Sequence, residues 1–372
     1  MKKVSQIVQI GLFLLFLAVM PILYILLPDR ANSESENRTL AQKPAFSWQA
    51  LMSGDYTAGV DAWLTDQIPF RDGWIALRSM AERALLKTES NGAYLCGGQT
   101  LIARVAEPEE KRVQANCAAL ETLVQNAGVP VYLSLIPSAA AVWSDRLPAG
   151  APTADEAAWI GRVYAGTAAH TVDTIGALSA HKDEEIYYRL DHHWTTRGAY
   201  YGAAALLQAM ELPVPEPEKY TKSIVSEKFY GTTYSKAGVR GLQPDRIERW
   251  VPENGVQVTW YQSTTASEPG RLYAESFLDV KDKYSYFLGG NRARIVIGTG
   301  HEGPRLLLLR DSYSDCEVPF LLEAFSEIHL LDPRYYTGSV KQYIEQQQID
   351  CVAVNMSWER FAAERTVALI GT

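Results

Sequence analysis

Cysteine, histidine and clustered positive charge are all scarce in this chain of 372 residues, and each scarcity removes a class of function. The four cysteines, Cys96, Cys117, Cys316 and Cys351, are widely spaced, with no C-x-x-C pair of the kind that holds zinc or runs dithiol exchange. There is no H-E-x-x-H or other metal-ligand spacing among the six histidines. Net charge is -8, and no basic stretch interleaved with aromatics is present to grip a phosphate backbone, so nucleic acid is not an expected partner. Internal repeats and low-complexity tracts are also missing, which argues against a solenoid or an array.

One long hydrophobic run is present. Ile7–Leu27, "IVQIGLFLLFLAVMPILYILL", carries a single polar side chain, Gln9. At 1.5 Å per residue it is long enough for a bilayer core of about 30 Å. No small-x-small cleavage site follows, so an uncleaved anchor is the expectation rather than a removed signal peptide. Lys2 and Lys3 precede the run and belong on the cytoplasmic side, which places the remainder outside. The expected layout is a cytoplasmic tip and transmembrane anchor over 1–27, an extracytoplasmic stem over 28–45, and a catalytic domain over 46–372.

Within that domain the hydrophobic period changes along the chain. Residues 48–86 repeat at helical spacing, and Pro69 in "IPFRDGW" breaks them into two helices. "GAYLCGGQTLIARV" reads as a hairpin, "EEKRVQANCAALETLVQNAG" as an amphipathic helix and "VPVYLSLIPS" as a buried strand. The alternation returns near the end, with strands at "RLLLLRD", "SEIHLLD" and "IDCVAVNMS" separated by helical segments. Helix and buried strand in alternation predict an α/β fold with a parallel sheet covered on both faces. Residues 215–300, rich in Gly, Tyr and Thr, read as an insertion of short strands and loops.

The chemistry concentrates in "YRLDHHWTTRGAYYG". On extended backbone Asp191 and His193 share one side and His192 points away, so the carboxylate can orient the His193 imidazole as a general base. A base of this kind asks for a nucleophile. Ser312 in "LLLLRDSYSD" follows an apolar strand and precedes a helix, the placement of a nucleophile elbow, and the N–H of Ser312 or Tyr313 is then available to a developing oxyanion. Tyr313, Trp194, His192, Tyr200 and Arg310 are the candidates for oxyanion contact and pocket wall. The same residues have plainer uses. Ser312 and Asp191 both suit helix caps, Trp194 and Tyr200 suit core packing, and Asp191 with the two histidines is a conceivable but poorly spaced metal ligand set. His329, in an apolar strand, reads as a core residue. The tyrosines of "FYGTTYSKAG" and "LDVKDKYSYFLGG" are candidates either for sugar stacking or for core.

In the order "ENRTLAQKP", "DQIPFRDGW", "LDHHWTTRGAY" and "LLLLRDSYS", the chain resembles the DHHW protein family, itself similar to the SGNH-hydrolase-like alginate O-acetyltransferases of the AlgX and AlgJ type. The resemblance implies an SGNH-like three-layer α/β/α domain in which Asp-x-His precedes the serine. It implies Ser312 as nucleophile, His193 as base and Asp191 as its orienting acid, with no metal and no cofactor. Such relatives pass acetyl groups, delivered by a membrane-bound O-acyltransferase, to hydroxyls of a polysaccharide acceptor. An acetyl esterase using the same residues and a non-catalytic envelope scaffold are the alternatives the sequence leaves open.

Overall fold

The computed structural model describes residues 2–33, 38–262 and 266–372. Residues 34–37 of the expected stem, with Glu36 and Asn37 of "ENRTLAQKP", therefore lie outside the described residues. Contacts divide the chain into two units, Met1–Ser90 with Gly238–Gly241, and Asn91–Ala237 with Leu242–Thr372. Residues 46–90, expected within the catalytic domain, fall in the first unit.

The first unit contains the apolar helix Lys2–Leu26, of which Gln6–Leu26 is long and apolar enough to cross a bilayer. Three further helices follow where the sequence led us to expect two: Trp48–Ser53, Asp55–Asp66 and Arg71–Ala84. The additional break is at Gly54, whose left-handed φ of 89° ends the first helix. The second break falls at Gln67–Phe70, as the proline predicts.

The second unit is built on one eight-stranded sheet. Its strands are β1 (Val131–Ile136), β2 (His170–Thr171), β3 (Gln257–Tyr261), β4 (Ser267–Pro269), β5 (Arg294–Gly298), β6 (Arg305–Arg310), β7 (Glu327–Leu331) and β8 (Cys351–Ser357). The spatial order is β4-β3-β5-β7-β6-β8-β1-β2. From β7 to β2 all pairings are parallel, with Leu306 beside Ile328 on one flank and Cys351 on the other. From β4 to β7 they are antiparallel. The sheet is thus mixed, and the correction to the expected parallel sheet comes from residues 215–300. That segment supplies the three antiparallel strands at one end of the sheet, along with a separate hairpin, Thr221–Phe229 with Asp245–Val251.

Side chains alternate across the strand, so a strand buried on both faces must be apolar throughout. The run Leu306–Leu309 meets this demand. Leu306 and Leu308 enter a core with Leu206, Ile295 and Ile328, while Leu307 and Leu309 enter a second core with Leu120, Leu133 and Val354. Helix Thr196–Ala209 covers the first face; Glu110–Asn126, Glu156–Ala165 and Val340–Gln347 cover the second. This is the three-layer α/β/α arrangement. All four cysteines are free thiols, and His329 is a satisfied core residue, bonded to the Tyr343 hydroxyl at 2.8 Å.

Candidate active site

The carboxyl ends of β6, β8 and β1 lie side by side, which places the turns after Arg310, Ser357 and Ile136 along one edge of the sheet. Ser312 stands in the first of these turns, directly before the short helix Tyr313–Glu317. It occupies the cap position, yet its hydroxyl makes no capping bond. Instead Oγ lies 2.8 Å from His193 Nε2.

The Asp191–Trp194 loop is closed at its base by an isolated bridge between Tyr187 and Trp194 and by Thr195 N–H donating to Ile186 O at 2.9 Å. It is bent rather than extended. Asp191 Oδ1 accepts from the His193 backbone N–H at 3.0 Å and from His193 Nδ1 at 2.6 Å. Asp191 Oδ2 accepts from Thr232 N–H at 2.7 Å and from its hydroxyl at 2.9 Å. With Nδ1–H committed to the carboxylate, Nε2 is left as an acceptor and the Ser312 hydroxyl donates to it. Asp191 is buried, which would raise its proton affinity, but the adjacent imidazoles and the Thr232 N–H hold the carboxyl well below the usual carboxylate range. Gly231 makes this contact possible, because a Cβ there would sit 2.3 Å from Asp191 Oδ2.

His192 does not turn to the opposite side. The bend brings its ring within 3.8 Å of the His193 ring, and its Nδ1 donates to Thr232 Oγ1 at 2.6 Å. Burial and the neighbouring imidazole lower its proton affinity. Asp191, His192 and His193 bring potential ligand atoms within 4.8 Å of one another. Asp191 and His193, however, are already joined by hydrogen bonds that a metal would have to break.

Two further bonds fasten this loop to the serine turn: Trp194 Nε1 donates to Tyr313 O at 2.9 Å, and the Tyr313 hydroxyl donates to His192 O. Trp194 is completely buried and its ring lies over Gly202, where a Cβ would come within 2.5 Å of it, while a Cβ at Gly198 would meet the Ile186 carbonyl oxygen at 2.1 Å and the Trp194 Cβ at 3.0 Å. It is a clamp on the serine turn rather than a pocket wall. Three other expectations need correction. Tyr313 N–H is not free for an oxyanion, since it donates to Asp311 Oδ1 at 3.0 Å. Arg310 is buried and paired with Asp315 at 2.8 Å, facing the interior. Tyr200 packs on Trp250 and Phe320 and donates to Pro215 O, away from the dyad. Tyr284 and Tyr286 of "LDVKDKYSYFLGG" are buried, so neither offers a face to a sugar.

Several participants were not visible in the sequence. Asp311 braces the turn, its Oδ2 accepting from Ser357 N–H at 2.9 Å and Ser357 Oγ at 2.6 Å. Thr232 and Gly231 support Asp191 across 40 residues of chain. Tyr284 lies flat against the His193 ring at 3.7 Å. An acid directly before the serine was the one available signal for Asp311; nothing local marks the other three.

Beneath the turn lies a second polar layer. Glu317 accepts from Asn355 Nδ2, and burial pushes its carboxyl up to about 8. Burial likewise pushes Asp315 up to about 7 despite Arg310. Among the described residues, Arg310 Nε and Nη2, Glu317 Oε1 and Asn355 Oδ1 are buried without hydrogen-bond partners.

Residues 97–281 match the family model of the SGNH hydrolase-like domain of the acetyltransferase AlgX. The match includes Asp191–Trp194 and ends before Ser312. A DHHW family protein from Eubacterium siraeum is similar in structure, with a TM-score of 0.67 and 25% identity over 76% of this chain and 95% of that one. PatB1 of Bacillus cereus, solved with a sulfonyl adduct, is similar with a TM-score of 0.62 and 19% identity over 73% of this chain and 97% of its own. No curated protein matches the chain. The fold is therefore an SGNH hydrolase-like α/β domain, similar to that of AlgX. Within it, the chain shows the likeness to the DHHW family that its motifs carry.

Proposed function

We propose that this chain is a membrane-anchored, extracytoplasmic O-acetyltransferase that moves acetyl groups onto hydroxyls of a cell-surface or exported polysaccharide. The observation that carries the reading is the unbroken path from Asp191 through His193, at 2.6 Å, to Ser312 Oγ, at 2.8 Å, on a domain matched by an acetyltransferase model. The match to the AlgX acetyltransferase model supports acetyl transfer as the chemistry, and helix Gln6–Leu26 supports the anchor.

In this mechanism Ser312 Oγ attacks the acetyl carbonyl while its proton passes to His193 Nε2. Asp191, held ionised by Thr232 and the imidazoles, stabilises the imidazolium and keeps Nδ1 protonated. The oxyanion falls to the Ser312 N–H, since that of Tyr313 is engaged by Asp311. Collapse breaks the bond to the donor's leaving group, which takes the proton from His193 and leaves acetyl on Ser312. A sugar hydroxyl then gives its proton to His193, attacks the acyl-enzyme and departs acetylated, and the proton returns to Ser312. A membrane-bound O-acyltransferase is the proposed supplier of the acetyl donor.

The test uses the full chain in detergent with a chromogenic acetyl ester, with and without polysaccharide, beside Ser312→Ala and His193→Ala. Turnover lost in both variants, raised by acceptor and accompanied by acetylated glycan, is the expected result. Turnover that acceptor leaves unchanged makes the protein an esterase. Turnover that survives Ser312→Ala refutes the site.

A further inference from the structure

The turn Lys283–Tyr286 delivers Tyr284 to the dyad from a segment separated from it by most of the 215–300 region. Its ring and the His193 imidazole are stacked, with centroids 3.7 Å apart and planes within 6°. Tyr188 and Phe287 hold Tyr284 from its edges, at 6.3 and 5.4 Å between centroids. The ring is buried, and its hydroxyl has no hydrogen-bond partner among the described residues. What Tyr284 contributes is therefore the face of its ring.

We propose that Tyr284 is the positioning residue of the general base: its face fixes the plane of His193 and favours the imidazolium formed when Ser312 gives up its proton. This rests on His193 being that base. An aromatic face carries negative quadrupole charge, and a cation within about 6 Å of the centroid is attracted to it, more strongly where water is excluded. Neutral imidazole gains much less, so the stack acts selectively on the charged state reached during acyl transfer. A flat stack at contact distance also resists rotation of the imidazole, which keeps Nε2 aimed at Ser312. The other groups facing His193 are Asp191 and His192 from its own loop and Ser312 and Tyr313 from the serine turn. Asp311 and Arg360 act on His192 beside it. Asp191 bonds to the imidazole edge and Tyr284 covers a face, so the two contributions are separable.

The experiment follows the His193 resonance by nuclear magnetic resonance across pH in the full chain, labelled at histidine and held in detergent, with His193→Gln to assign it. Tyr284→Leu should lower the midpoint of that titration by about half a unit to one unit, and kcat/KM for a chromogenic acetyl ester by about three- to thirtyfold. Tyr284→Phe should match the parent in both. Progressively fluorinated phenylalanines at position 284, which keep the shape while draining the ring face of charge, should lower the midpoint stepwise even where leucine disturbs folding. An unchanged midpoint in Tyr284→Leu and in the fluorinated series overturns the proposal, as does a Tyr284→Phe shift as large as that of leucine. The resonance reads the stack independently of turnover, while Ser312→Ala reads the catalytic assignment, so failure of one is not mistaken for failure of the other.

Discussion

Above the Ser312 turn and below it, two polar clusters share one short piece of backbone and obey opposite rules. Above, both oxygens of Asp191 and both nitrogens of His193 are bonded, and Thr232 and Gly231 are fitted around them. Below, Arg310, Asp315, Glu317 and Asn355 bury polar atoms, some of them without partners among the described residues. A fully bonded cluster fixes positions, which is what proton transfer between named atoms needs. A partly bonded one stores unfavourable desolvation and answers to pH through its acids. Changes in the upper cluster should therefore appear as rate, and changes in the lower one as stability.

The comparison breaks most readily at Ser312. Ser312→Ala should cut turnover on the order of 10⁴- to 10⁶-fold, with thermal unfolding unchanged because the hydroxyl caps nothing. Calorimetry beside the ester assay checks both halves. Asp191→Asn should cost about 10³- to 10⁴-fold, since the amide cannot accept from Nδ1–H as a carboxylate does and Thr232 would press two donors on it. Gly231→Ala should lose about a hundredfold in kcat by displacing Asp191 without removing any polar group, a loss that the smaller Gly231→Ala/Thr232→Ala double change would not restore.

The smallest effect is expected below the turn. Because Glu317 and Asp315 hold their protons up to about 8 and about 7 in the folded chain, against about 4 when unfolded, folding takes up protons between those values. Their stabilising contribution is complete below about pH 4 and is lost as pH rises through about 8. Glu317→Gln should flatten that decline, raising the melting temperature at pH 8 by a few degrees and leaving turnover near neutral pH intact. A rate effect larger than the stability effect would show that the two clusters are not independent.

What could be read from the sequence follows the same division between local and distant causes. The strand Leu306–Leu309, the turn carrying Ser312 and the Asp-x-His pair are each written in a few consecutive residues, and period and spacing expose them. Extended backbone would turn His192 away from His193, but Asp191 bends the chain by accepting from the His193 N–H. Tyr200 lies near the histidines in sequence, but its helix turns it toward Trp250, and Arg310, beside the serine turn, is buried against Asp315. Tyr284, Thr232 and the antiparallel strands β3 to β5 depend on how residues 215–300 fold back, and no local period records that.

Trp194 has a consequence for how such chains are recognised. Its indole fills the volume left by the missing side chain of Gly202 on the next helix, whose Gly198 lets the Ile186 carbonyl and the Trp194 Cβ pack close, and from there it holds the carbonyl of Tyr313. The four letters Asp-His-His-Trp are thus an incomplete word. The working pattern adds glycine at the fourth and eighth positions beyond the tryptophan, and a chain that keeps the tetrad but writes larger residues there would spell the histidine correctly while leaving the serine turn without its clamp.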